Sequence, residues 1–305
     1  MELGIVTAEI SRPNFKDLLK AIKDYGFTQI QLDLASVIGE TMPEHIDIAW
    51  AQNIADEIAQ QGIKVVAVNG TFNMAHPDPA KRQEGLKRLR IMAAACKAFG
   101  SPLVTLCTGS RNMGNPFDVY KMWVRNPEND TPQAWSDMLE TMKIAITYAE
   151  EYGVYMGVEP EEGTVVDYAS KARQLLDDMA SPWLKIVLDG ANLFHKSEFN
   201  HMQEVLKEAF DLLGKDIILA HGKDLSAKQD VDPLSPFAPF AAPGRGVLDY
   251  DTFIELLNAH DYKGGFILHG FKKEQELPSS VAFIRHKLAN HTDLKRKAGA
   301  YKNID

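Results

Sequence analysis

Short apolar runs alternate with amphipathic helical stretches along the whole chain. Several helical stretches end in a glycine, a residue that often caps a helix in the left-handed conformation, and an apolar run follows at once. The runs are continuous rather than alternating, which is typical of parallel strands buried on both faces. We count eight strand–helix units, with strands at 3–9, 28–34, 63–69, 102–108, 154–160, 184–190, 216–222 and 264–270.

The helical stretches between the runs have one apolar face. In residues 79–99, for example, apolar side chains recur at helical spacing at Leu86, Leu89, Ala93 and Cys96. Eight strand–helix units in 305 residues predict a single closed (β/α)₈ TIM barrel, which typically needs about 250 residues. An open doubly wound sheet is disfavoured, because no glycine-rich GxGxxG or P-loop motif follows the first strand.

The barrel is expected to occupy residues 1–290 as one domain, followed by a polar C-terminal tail at 291–305. Two loops are unusually long, at 109–130 and 223–247. Both follow strands, so both would lie at the C-terminal mouth of the barrel and could cover an active site there.

Composition and charge limit the kinds of molecule that the chain is expected to bind. Hydrophobic residues make up 45% and charged residues 25%, as in ordinary globular proteins, and the formal net charge is −9. Such an acidic chain repels phosphate backbones, so we expect no nucleic-acid partner. We also expect no membrane partner, because no run of about 18 apolar residues occurs. The absence of a signal-peptide pattern and the isolated Cys96 and Cys107 predict a cytoplasmic protein.

The residues that close the later apolar runs suggest a metal site. The fifth to eighth runs end in Glu159, Asp189, His221 and His269. In a barrel these positions surround the C-terminal mouth. Crowded carboxylates repel each other unless a cation or a proton neutralises them. Because such oxygen and nitrogen donors suit one divalent ion, such as Mn²⁺, Co²⁺, Zn²⁺ or Mg²⁺, we expect all four residues to be ligands. A single polar residue at a strand end is more often a helix cap or a solvated loop residue.

Motifs around these residues resemble the xylose isomerase-like TIM-barrel superfamily of sugar isomerases and epimerases. They are VEPE (158–161), LDGANLFH (188–195), AHGKD (220–224), PGRGVLDY (243–250) and FILHG (266–270). The resemblance extends over all eight units. It implies a metal-dependent enzyme that isomerises or epimerises a sugar, a sugar phosphate or a small sugar acid through an enediolate. A homo-oligomer is also allowed, since members are commonly dimers or tetramers.

The resemblance assigns roles to the strand-end residues and reveals one departure. Glu159 would be both a metal ligand and an acid/base, with Asp189 and His221 as further ligands. Members usually end strand eight with a glutamate that shares the proton transfer, whereas this chain has His269. His269 is therefore expected to be either a ligand or the second acid/base. Glu161 could replace the missing carboxylate if it points into the pocket, or it could belong to a solvated acidic loop.

Five further residues are candidates for binding the substrate, and each has a structural alternative. Asn192 stands where relatives often carry a substrate-contacting histidine, but it could cap the next turn. Lys223 could contact substrate oxygens or form a salt bridge with the aspartate beside it. Arg245, between two glycines, could hold a phosphate or carboxylate, or serve only the loop. His76 could reach the mouth or start a helix, and Trp123 could stack on a sugar or pack its loop.

Two other functions stay open, and a third is disfavoured. A metal-dependent dehydratase would begin with the same proton abstraction and then eliminate water. The departure at His269 also allows a non-catalytic sugar-binding protein. A DNA-repair endonuclease on this fold needs three zinc ions and extra histidines, but Thr108 and Asn192 occupy two of those positions, and the negative net charge opposes DNA binding.

Overall fold

The computed structural model describes residues 1–226 and 239–301, and within them eight parallel strands close into a barrel. Each barrel strand pairs with the barrel strand that follows it along the chain, and the last pairs with the first, which closes the barrel. The predicted (β/α)₈ barrel is thereby confirmed. The barrel strands are β1 (Leu3–Val6), β2 (Gln29–Leu32), β3 (Lys64–Asn69), β4 (Leu103–Leu106), β5 (Tyr155–Val158), β6 (Leu184–Asp189), β7 (Ile217–Gly222) and β10 (Phe266–Leu268).

Helices surround the barrel and pack their apolar faces on the strands. Several begin at a polar side chain that accepts a hydrogen bond from the first helical turn, as Asp78 does for the predicted helix at 79–99. The helices are α1 (Phe15–Asp24), α2 (Ala35–Ile38), α3 (Ile48–Gln60), α4 (Pro79–Cys96), α5 (Val119–Met122), α6 (Pro132–Tyr152), α7 (Ala169–Met179), α8 (Met202–Leu213), α9 (Tyr250–Ala259) and α10 (Leu277–Tyr301).

Two regions of the sequence analysis fall partly outside the described residues. Of the predicted loop 223–247, residues 227–238 are not described, and its two ends pair as the short antiparallel strands β8 (Asp224–Leu225) and β9 (Phe240–Ala241). Residues 291–301, assigned from sequence to a tail, continue the backbone of α10. No helix in the described part of the chain combines the length and apolar character that crossing a bilayer requires.

A small apolar cluster occupies the barrel interior, separate from the main core between strands and helices. It contains one side chain from each of five strands: Ala67, Leu103, Val187, Leu219 and Ile267. All five are almost completely buried. Because side chains alternate along a strand, residues two positions after a cluster member also face the barrel interior. The cluster therefore forms an apolar floor, and the polar residues that close the strands lie above it.

A buried ion-pair network anchors the long segment 109–130 beside the barrel mouth. Arg111 Nη1 lies 2.5 Å from Oδ2 of Asp137 on α6, and Arg82 Nη2 on α4 lies 3.5 Å from Oδ1 of the same carboxylate. At its other end, Asn129 accepts a hydrogen bond from the Arg111 backbone and donates one to Gly163 O. The segment is thus attached to two helices and to the loop after β5.

We expect Asp137→Ala to lower the free energy of unfolding by about 3–5 kcal/mol, because it leaves two buried guanidinium groups without their shared carboxylate. Urea unfolding followed by circular dichroism measures this loss. Glu140→Ala is the matched control, since that carboxylate also pairs with Arg82 but its side chain is 66% exposed. The control should cost less than about 1 kcal/mol. Equal losses in the two variants would contradict the assigned role of the network.

Candidate metal centre

A cavity of about 1000 Å³ opens at the C-terminal mouth of the barrel. Three of the four strand-end residues, Glu159, His221 and His269, line it directly. The fourth, Asp189, is buried below the surface of the cavity, with its side chain against His269 and Lys223. The four residues predicted from their positions at the strand ends therefore come together at one place.

Strand geometry explains why these side chains point inward. Asp189, His221 and His269 each come two residues after a member of the apolar interior cluster, so they project to the same side. In β5 the equivalent position is Gly157, where a Cβ atom would lie 2.9 Å from side-chain atoms of both Leu103 and Val187. The glycine leaves room for the floor of the cavity, and Glu159 lies above it.

The four side chains can supply ligands to one ion. Each offers an atom that lies within 4.8 Å of the corresponding atoms of the other three. Donors at about 2.0–2.2 Å from one ion lie at most about 4.4 Å apart, so a small contraction would bring all four into coordination. Two carboxylate oxygens and two imidazole nitrogens are a donor set used for Zn²⁺ and Mn²⁺.

The contacts of His221 show that this cluster fits a cation. The Nε2 of His221 lies 2.8 Å from Oε1 of Gln31, and because an amide oxygen only accepts, Nε2 carries the proton. The other ring nitrogen, Nδ1, is buried without a hydrogen-bond partner and lies 3.2 Å from Oε2 of Glu159. Two electron-pair donors that face each other this closely repel unless a cation or a proton lies between them. The arrangement fits a metal ion.

Asp189 and His269 form a second tight pair. His269 Nε2 lies 2.6 Å from Asp189 Oδ2, and the His269 ring packs against that of His221 with centroids 4.7 Å apart. Burial alone would lower the pKa of His269, but the hydrogen bond and negative charge of Asp189 outweigh it, so the pKa is raised. Burial would raise the pKa of Asp189, yet Lys223 and His269 hold it below its ordinary value.

Glu161 lies in the cavity rather than in a solvated loop. Its side chain is 11% exposed, and Oε1 lies 4.0 Å from Nζ of Lys223. Burial and the negative charge of Glu159 raise the pKa of Glu161 to about 8, so it carries a proton at neutral pH. Of the two interpretations that the sequence left open for Glu161, the structure shows the one in which it points into the pocket.

Lys223 also turns into the site. Its Nζ lies 3.7 Å from Asp189 Oδ2 and 3.5 Å from the centroid of the Phe240 ring. The neighbouring Asp224 instead accepts hydrogen bonds from the backbone N–H groups of Leu225, Gly244, Gly246 and Leu248. Lys223 and Asp224 therefore form no salt bridge with each other. That salt bridge was one of the two interpretations that the sequence left open for Lys223.

The remaining candidates divide into two groups. Asn192 Nδ2 donates to Glu159 Oε1 at 2.8 Å, and Trp123 lines the cavity. His76 instead anchors backbone, since it lies 3.2 Å from Gly114 O and accepts a hydrogen bond from the backbone N–H of the next helix cap. The side chain of Arg245 is half exposed, and its Nε lies 4.0 Å from Oε1 of Glu276. Neither His76 nor Arg245 belongs to the described lining of the cavity.

Sequence reasoning missed several residues that line the cavity. Gln31 fixes the proton of His221, and its signal was a glutamine that alternates with apolar residues in a fully buried strand. Glu9 accepts hydrogen bonds from the backbone N–H groups of Gly270 and Phe271, directly after His269. No local pattern marks Glu9, because its partners lie about 260 residues further along the chain.

Comparison with known proteins agrees with this fold. The family model described as xylose isomerase-like TIM barrel matches residues 19–287. A search of curated protein sequences finds no match. Among solved structures, the apo 3-keto-D-glucoside 4-epimerase from E. coli is 18% identical, with 94% of this chain and 99% of that chain covered and a TM-score of 0.67.

Two other solved structures have similar scores. An L-ribulose 3-epimerase is 16% identical, with 99% of this chain and 98% of that chain covered and a TM-score of 0.70. A probable 3-DHS dehydratase from Bacillus anthracis is 13% identical, with 93% of this chain and 99% of that chain covered and a TM-score of 0.69. At such low identities the likeness shows the fold alone.

We expect Gln31→Leu to weaken the binding of Mn²⁺ or Zn²⁺ by about 10–100-fold, because it removes the acceptor that holds the His221 proton on Nε2. Isothermal titration calorimetry measures the affinity. Gln29→Leu is the control, since Gln29 lies on the same strand but donates to Glu2 at the opposite end of the barrel. An unchanged affinity in Gln31→Leu, or an equal loss in both variants, would contradict this positioning role.

Proposed function

The chain belongs to the xylose isomerase-like TIM barrel family, and on this premise we propose that it is a divalent-metal-dependent sugar isomerase or epimerase. The substrate class is a sugar, a sugar phosphate or a small sugar acid, and the reaction passes through an enediolate. Two of the structural relatives described above are named as sugar epimerases. The observation that carries the proposal is the four-donor cluster at the base of a cavity large enough for a sugar.

The reaction begins with removal of a proton from a carbon next to a carbonyl group. A divalent ion held by Glu159, Asp189, His221 and His269 would stabilise the negative charge that develops on the sugar oxygens. Asp189 and His221 are almost completely buried, which favours a fixed position for the donor groups during the reaction. Lys223, beside Asp189, adds positive charge that favours an oxyanion in the same region.

Glu159 and Glu161 are the proposed acid/base pair. Glu159 lines the cavity and is oriented by the hydrogen bond from Asn192. Glu161 lines the same cavity and is buried, which supports it as the second carboxylate in place of the glutamate that His269 replaces. We assign His269 the role of a ligand, because it offers one of the four clustered donor atoms and lies beside the proposed ligand Asp189.

We expect the protein to exchange hydrogen with solvent at the carbon next to the carbonyl of its substrate. Incubation with a panel of aldoses, ketoses and their phosphates in deuterated water with Mn²⁺, followed by mass spectrometry, should show one deuterium gained without loss of water. Glu161→Gln should slow this exchange by about 100–10,000-fold, since it keeps the shape of the side chain but cannot transfer a proton. The metal content of each variant is measured in parallel.

Other outcomes would favour the other candidate functions. Loss of water from the sugar would favour a dehydratase, the activity named for one structural relative. Saturable sugar binding without any exchange would favour a non-catalytic binding protein. Full exchange activity in Glu161→Gln, with the ion retained, would remove Glu161 from the proposed pair.

A further inference from the structure

Aromatic side chains form the outer wall of the cavity, beyond the metal cluster. Phe117, Tyr120 and Trp123 come from the long segment 109–130, and Phe271 follows His269 by two residues. Tyr120 is 82% exposed and Trp123 is 37% exposed. Their rings meet edge to face, with centroids 6.2 Å apart and an interplanar angle of 86°. Large aromatic groups exposed at the entrance of a cavity are typical of a ligand site.

The cavity is larger than a single sugar ring requires. Its volume of about 1000 Å³ is at the upper end of the range, about 300–1,000 Å³, that is typical of sites for drug-sized ligands. A sugar held by the cluster at the base would occupy only the inner part. The outer part, between the aromatic side chains, then has room for a second ring attached to that sugar.

The charges around the cavity disfavour an anionic ligand. Only two of the described lining residues are Lys or Arg, and both are engaged: Lys223 lies near Asp189 and Glu161, and Arg88 pairs with Glu40 and Glu44. A divalent ion would balance only the two carboxylates of its own ligands. Two further carboxylates line the same cavity, at Glu9 and Asp33. A phosphate or carboxylate on the substrate would therefore meet net negative charge.

We propose that the outer wall is a binding site for an aglycone, and that the substrate is a neutral glycoside that carries a carbonyl group on its sugar ring, rather than a sugar phosphate or a sugar acid. The inference rests on the proposed function for the inner part of the site. The faces of Trp123 and Tyr120 pack against the ring attached to the sugar, while the sugar itself reaches the strand-end cluster.

Matched glycosides test this proposal through binding alone. The protein as purified is titrated by calorimetry with the methyl and phenyl β-glycosides of D-glucose, D-galactose and D-xylose, and with D-glucose 6-phosphate. For the sugar that binds, the phenyl glycoside should bind about tenfold more tightly than the methyl glycoside, the gain that aromatic packing typically provides. The phosphate should bind no more tightly than the methyl glucoside.

Variants of the outer wall test whether its aromatic side chains cause the difference in affinity between the phenyl and methyl glycosides. Trp123→Ala and Tyr120→Ala should each reduce the ratio of the two affinities toward one, chiefly by weakening the binding of the phenyl glycoside. Val124→Ala is the control, because Val124 is 60% exposed on the same segment but is not part of the described lining. Size-exclusion chromatography of Tyr120→Ala checks the assembly, and a changed oligomeric state with an unchanged ratio would overturn the proposal in favour of a protein interface.

The outcomes separate this proposal from the proposed function. Equal affinities for methyl and phenyl glycosides, or tighter binding of the 6-phosphate, would overturn the aglycone site even if a free sugar exchanges its hydrogen in deuterated water. Preferential binding of the phenyl glycoside, lost in Trp123→Ala, would support the aglycone site even if no exchange occurs. In that case the metal-dependent isomerase would fail and the glycoside site would remain.

Discussion

Glu159 and Asp189 hold two carboxylates close to two histidines at the base of one cavity, and the compensation of their charge is the constraint on which the rest of the site depends. Lys223 and the hydrogen bond between Asp189 and His269 compensate part of this negative charge. The barrel leaves His221 Nδ1 buried and unpaired beside Glu159. A divalent ion is the group that satisfies these donors together.

The scaffold holds the charged groups in place through simple strand geometry. The apolar floor formed by Ala67, Leu103, Val187, Leu219 and Ile267 fills the barrel interior, and the two-residue period of the strands directs the next inward residues to the cavity. Gln31 on β2 reaches across to His221 and fixes its proton. The anchored segment 109–130 then supplies three of the four aromatic side chains of the outer wall. Floor, cluster and wall are thus three layers of one site.

The sequence predicted the eight barrel strands and the four clustered residues because both signals are local. Apolar runs mark strands, and the parallel order of a barrel brings strand ends to one rim. The link between Gln31 and His221 could not be predicted in this way, since it joins residues 190 positions apart on strands that are not neighbours. The orientations of loop residues were equally hard to predict. The two-residue period of a strand no longer applies where the strand ends, so it does not indicate where Lys223 or Arg245 points.

The most direct test of the metal centre is the metal content of the purified protein, measured by elemental mass spectrometry on protein prepared without a metal-affinity tag. We expect one tightly bound divalent ion per chain, lost in Glu159→Gln, and lost also in His269→Ala if the proposed ligand role of His269 is correct. Retention of the ion in His269→Ala would instead leave that histidine free for proton transfer. No bound ion, even after incubation with manganese, cobalt or zinc, would contradict the central claim.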